Sequence, residues 1–76
     1  MVARTVDARG KSCPMPIVEL SREIKQAAAG EEVVVMADDR AFPSDVEAWC
    51  RQTKNELIAV GPEDGYFRAT VRKAGR

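Results

Sequence analysis

Cys13 stands between a turn-forming run, Arg9-Gly10-Lys11-Ser12, and two prolines, Pro14 and Pro16, that bracket Met15. Proline suits the first helical position, because its missing N–H would be unpaired there and its φ is already set. A helix opening at Pro14 would put the Cys13 sulfur at or near the N-cap, beside unpaired backbone N–H groups and the positive end of the helix dipole. That setting stabilises thiolate over thiol, so the expectation is a pKa below the free value of about 8.5 and an exposed, nucleophilic sulfur. Arg9 and Lys11 add positive charge nearby, and Pro16 stiffens the first turn. Cys50, the second cysteine, follows Trp49 by one residue and Val46 by four, on an apolar stripe, and reads as a buried structural thiol. A Cys13–Cys50 disulfide would have to join a helix start to the inner face of another helix, and it is the less favoured option.

The sequence contains no histidine. Ser-His-Asp and Cys-His relays, histidine-ligated zinc and imidazole proton shuttling are therefore excluded within the chain. Two cysteines cannot complete a four-thiolate metal site. Asp38, Asp39 and Asp45 match no calcium-loop spacing, so no metal and no cofactor is expected.

Six segments must position Cys13. A weak strand covers about Ala3 to Ala8. After the turn comes a helix whose Ile17, Leu20, Ile24, Ala27 and Ala28 follow the spacing of a buried stripe, with Gly30 expected as its left-handed C-terminal cap. The run Val33 to Ala37 is continuous and β-branched, as in a strand apolar on both faces, and Asp38-Asp39-Arg40 ends it. Ser44 and Glu47 have capping-box spacing, opening a second helix with Val46, Trp49, Cys50 and Thr53 on one face. Leu57 to Val60 is a third strand. A turn over Gly61 to Gly65 leads to a fourth, in which Phe67, Ala69 and Val71 alternate with Tyr66, Arg68, Thr70 and Arg72. The order β-α-β-α-β-β predicts an α/β (α+β) sandwich with a mixed four-stranded sheet. Two helices cover one face only, so Val34 and Met36 suggest an apolar docking surface on the other, with ordinary surface apolar residues as the plain alternative.

With 76 residues, and no repeat or linker, residues 1–76 read as a single domain with a modest core. Twelve basic residues balance twelve acidic ones, which argues against direct nucleic-acid binding driven by net charge. The longest apolar run is too short to cross a bilayer, and residues 1–11 contain no hydrophobic segment of the signal-peptide kind, so a cytoplasmic location without membrane insertion is expected. From Tyr66 to Arg76 there are four basic and no acidic residues; their alternation with apolar ones suggests the solvent face of an edge strand. Glu31 to Asp64 carries nine acidic and three basic residues, an asymmetry that would orient a charged partner.

Taken together, Cys13-Pro14-Met15-Pro16 at a helix start after Asp7-Ala8-Arg9-Gly10, the Gly30 stop, the strand ending in Asp38-Asp39, Ser44-Asp45-Val46, Trp49-Cys50 and Glu56-Leu57 make the chain resemble the TusA/SirA family of small sulfur carriers. The resemblance implies a two-layer sandwich with both helices on one side of the sheet. It implies that Cys13 accepts a sulfane sulfur as a persulfide and passes it to a partner's cysteine, a sulfurtransferase activity exercised with partner proteins. Donors in the family are rhodanese-type enzymes or cysteine desulfurases, and acceptors are DsrE-like proteins. Arg9 and Lys11 become candidates for electrostatic support and donor steering, against the alternative of solvated surface charges. Members tied to tRNA thiolation typically carry a basic residue before the cysteine and an acidic one between the prolines; here those positions hold Ser12 and Met15. Met15 would offer an adaptable apolar contact beside the sulfur. The pathway stays open between sulfur oxidation, general trafficking and tRNA thiolation. The alternative from another class is a regulatory adaptor that uses the same surface without carrying sulfur.

Overall fold

The computed structural model describes residues 2–75 and contains six elements: β1 (Val2–Asp7), α1 (Met15–Gln26), β2 (Glu32–Ala37), α2 (Phe42–Thr53), β3 (Glu56–Pro62) and β4 (Phe67–Arg72). The sheet order is β1-β2-β4-β3. β1 and β2 run parallel, joined by α1, and β4 pairs antiparallel with both β2 and β3. The mixed sheet and the two-layer α+β architecture are as the sequence predicts.

Alternation in the strands explains the layering. Val6, Val33, Val35, Ala69 and Val71 all point to one face, where they meet Leu20 and Ile24 of α1 and Phe42, Val46 and Cys50 of α2. α1 lies over β1 and β2, and α2 over β3 and β4. Leu20, Val33, Val35, Val46 and Val71 are fully buried; burying each such side chain contributes about 1.5–3 kcal/mol of transfer free energy.

Several local expectations are corrected. β4 lies inside the sheet, and β3 is the edge strand, because β4 fills the gap that α2 leaves between the parallel strands β2 and β3. The open face offers no apolar patch at Val34, which is 2% exposed and flanked in register by Thr5 and Thr70. At one end of that face Arg72 pairs with Glu32 and Glu56, and Arg68 pairs with Glu63 towards the other. The Ser44–Glu47 capping box does not form: α2 starts at Phe42, two residues before Ser44, with Pro43 in its first turn and the Phe42 N–H donating to the Asp39 carbonyl at 3.0 Å. Gly30 does have positive φ (+87°), but α1 has already ended. Gly30 is the third residue of an Ala28–Glu31 turn, closed by Glu31 N–H to Ala28 O at 3.0 Å, a position that demands left-handed backbone. Ala28 is exposed rather than part of the stripe. The left-handed cap belongs instead to Lys54, at the end of α2 (φ 64°).

Candidate functional site

The segment from Arg9 to Pro14 is held from the end of β2. The Gly10 N–H donates to the Asp38 carboxylate (2.9 and 3.0 Å), and the Cys13 N–H donates to Asp39 Oδ2 at 2.7 Å. Asp39 Oδ1 also accepts from Ala41 N–H at 3.3 Å. The two aspartates that end β2 therefore fix the backbone on either side of Lys11 and Ser12. Charge-assisted bonds of this kind are shorter and stronger than neutral ones. The interaction spans 26 residues for Asp39 and 28 for Asp38, so no local pattern reveals it.

The start of α1 differs from the expected one. Met15 N–H donates to Ser12 O at 2.9 Å, forming a turn where the helix was expected to begin. Pro14, preceded by a cis peptide bond, occupies the N-cap position, and Pro16 lies in the first turn. Cys13 is thus one residue farther from the helix than an N-cap. Pro16 is buried, anchoring the helix start in the core, whereas Met15 is 40% exposed.

Cys13 is exposed and lies at one side of an open groove of ≈ 250 Å³ between α1 and α2. Pro14 and Ile17 line it from the α1 side, and Asp45, Ala48, Trp49 and Gln52 from α2. These four α2 positions follow the i, i+3, i+4, i+7 spacing of a single helix face. That spacing is present in the sequence, and Trp49 serves both surfaces: partly buried, it packs against the core, as its place on the apolar stripe predicts, and it also lines the groove. Val46 and Cys50 do occupy the core.

The electrostatics reverse the expected thiolate stabilisation. The Asp45 carboxylate, which lines the same groove and can accept from the thiol, then partial desolvation, then the charge of Asp39, push the Cys13 pKa up from the ordinary thiol value. The cations expected to oppose this are engaged elsewhere. Arg9 pairs with Asp7 through two bonds of 2.9 Å, holding Asp7 down at about 2, and stacks over the Tyr66 ring at 5.1 Å. Lys11 pairs with Glu19 of α1. Burial alone raises Cys50 to about 11. The two cysteines are therefore separated by environment, one exposed beside carboxylates and one in the core, and neither is in a disulfide. Among the described residues no cluster suited to a metal ion occurs, and no helix is long and apolar enough to cross a membrane.

Comparisons with known proteins point in one direction. Residues 4–73 match the family model "Sulfurtransferase TusA". A protein of Archaeoglobus fulgidus, named "Putative sulfur carrier protein", is 38% identical over 68 residues, covering 90% of this chain and 93% of its own length. A protein of the same description from Neisseria meningitidis serogroup A is 36% identical over 72 residues, covering 95% and 97%. The crystal structure of a SirA-like protein from Desulfitobacterium hafniense superimposes with a TM-score of 0.82 at 19% identity, covering 95% of this chain and 99% of that one. At that identity the structural match establishes the fold alone.

Proposed function

The chain belongs to the sulfurtransferase TusA family, and from that premise we propose that it is a sulfur carrier that bears a sulfane sulfur as a persulfide on Cys13 and hands it to a cysteine of a partner protein. The observation that carries this reading is the contrast between the two thiols: Cys13 is exposed on a segment pinned by Asp38 and Asp39, and Cys50 is buried in the core.

The transfer needs no cofactor. The Cys13 thiol loses its proton, and its sulfur attacks the outer sulfur of a donor persulfide. A new S–S bond forms at Cys13 while the donor's S–S bond breaks, and the donor cysteine leaves as a thiolate that takes up a proton. The sulfane sulfur keeps its oxidation state, so no external oxidant or reductant enters. The reverse roles apply when an acceptor thiolate attacks the outer sulfur on Cys13. Pro14 and Pro16 hold the start of α1, and Met15, exposed two residues after Cys13 but outside the groove lining, offers an adaptable contact for the partner. Arg9 and Lys11, tied to Asp7 and Glu19, act on the shape of the segment and on the partner more than on the thiol itself. Rhodanese-type or cysteine-desulfurase donors and DsrE-like acceptors fit this chemistry, because each works through a cysteine persulfide. The domain would act as one unit of residues 1–76 in the cytoplasm.

Intact-mass measurement after incubation with a sulfane-sulfur donor tests the proposal. One added sulfur, removed by reductant and lost in Cys13→Ser but retained in Cys50→Ser, is the expected result. An unmodified protein whose Cys13 nevertheless reacts with iodoacetamide would refute sulfur carriage and leave an adaptor that binds through the same surface.

A further inference from the structure

Resting on the carrier reading, we infer that the protein exchanging sulfur with Cys13 presents a lysine or arginine beside its own reactive cysteine, and that this cation, set against Asp45, is what frees the Cys13 sulfur to attack. The groove divides into two chemistries. Pro14, Ile17, Ala48 and Trp49 make its apolar part, while Asp45 brings a carboxylate into the groove that Cys13 lines. Among the described residues, the charged groups that act on Cys13 are both negative: Asp45 from α2 and Asp39 from the segment after β2. The preceding segment contributes no free cation, since Arg9 is paired with Asp7 and Lys11 with Glu19, and α1 contributes no charged side chain to the groove. Among the described residues neither Asp39 nor Asp45 has a salt-bridge partner. Asp39 is committed to the Cys13 and Ala41 amides. Asp45 is the carboxylate still available to an incoming charge.

An arriving cation would take the Asp45 carboxylate as its own hydrogen-bond acceptor and remove the group that retains the thiol proton. The proton passes to the departing donor thiolate, so the exchange is balanced: Cys13–SH and donor–S–SH become Cys13–S–SH and donor–SH. Trp49 beside Asp45 adds a ring face on which a guanidinium can stack, giving an apolar and cationic partner surface two points of contact. A partner presenting an acidic surface would be repelled by the same pair of aspartates, which makes the groove a selector as well as a switch.

Two methanethiosulfonate reagents of similar size, one bearing a trimethylammonium group and the other a sulfonate, test the inference without any sulfur relay. Their rates with Cys13, each divided by its rate with 2-mercaptoethanol, should favour the cationic reagent by about tenfold at low ionic strength, and high salt should erase most of that preference. Asp45→Asn should lower the ratio several-fold, the remainder being due to Asp39, while Asp64→Asn, in the β3–β4 turn, should leave it unchanged. Parity or a sulfonate preference in the wild type, insensitivity to salt, or an unchanged ratio in Asp45→Asn would each overturn the inference. The salt arm uses the wild-type protein, so it stands whatever the variants do to folding. Because no sulfane sulfur is present, a carrier reading lost in the mass experiment and a charge preference lost here are separate outcomes.

Discussion

Replacing Asp39 should loosen the Cys13 segment by an amount that depends on what replaces it. The two carboxylate oxygens serve two donors: Oδ2 accepts from Cys13 N–H at 2.7 Å, and Oδ1 from Ala41 N–H at 3.3 Å. Alanine loses both bonds. Asparagine keeps one oxygen, which can rotate to the shorter bond, but its amide then points N–H groups at the Ala41 donor. A hydrogen bond to a charged group contributes about 1.5–3 kcal/mol. Asp39 is only half-buried, so water can partly replace what is lost, and about 1–2 kcal/mol is the expected cost of Asp39→Ala, with Asp39→Asn at roughly half that. For a domain of this size that is a fall in Tm of about 4–16 °C for alanine. Thermal unfolding by circular dichroism gives the stability, and hydrogen exchange at the Cys13 amide reports the local release. The Cys13 amide should exchange faster in alanine than in asparagine. Equal Tm in wild type and Asp39→Ala, or asparagine as costly as alanine, would refute the two-donor account.

Leu20, fully buried between α1 and the sheet, should cost about 2–5 kcal/mol when cut to alanine, read as a lower urea midpoint with an unchanged slope. Gly30→Ala meets no atom within 4 Å, so its expected penalty of about 1–2 kcal/mol comes from the positive φ alone, and Gly30→Asn should cost less. A carboxylate titration followed by NMR should place Asp7 at about 2 and return it towards the ordinary range in Arg9→Ala. Since that pKa is lower in the folded state, the pair's stabilising contribution is present above the unfolded carboxylate pKa near 4 and fades as pH falls towards 2. Alkylation of Cys13 should need a higher pH than an unstructured cysteine, and Asp45→Asn should move the profile down; a profile unchanged by that substitution would remove Asp45 as the cause.

Periodicity carried the architecture. The stripe Ile17, Leu20, Ile24 and the alternation Phe67, Ala69, Val71 each point to one surface, and the core is where those surfaces meet. Strand order was less accessible, because alternation says which side faces inward and nothing about which neighbour pairs. That is why the charged alternation of Arg68 and Arg72 suggested an edge when β4 is central. Short-range signals failed where a competing residue stood close by: Pro43 lets α2 begin ahead of Ser44, and the turn at Ser12–Met15 displaces the start of α1. The exposed position of Cys13 just ahead of α1 was legible from its prolines. Its environment was not, since Asp39 and Asp45 reach it only through tertiary folding, and a thiol beside a helix start invites the opposite expectation about its charge.

The placement of β4 also bears on synthesis. Residues 67–72 pair with β2 across Glu32–Arg72 and with β3 across Glu56–Arg72, so β3 has no partner strand until β4 exists. A nascent chain ending before Phe67 holds one parallel pair, β1 with β2, and leaves an open edge on the strand that becomes the centre of the sheet. Parallel pairing on its own forms slowly, and an unpaired apolar edge invites association with other chains. The antiparallel ladders close only when the last strand arrives, and α2, which carries Asp45 and Trp49, rests on β3 and β4. The groove beside the sulfur is therefore completed only once β4 has been made, and is withheld from any partner until then.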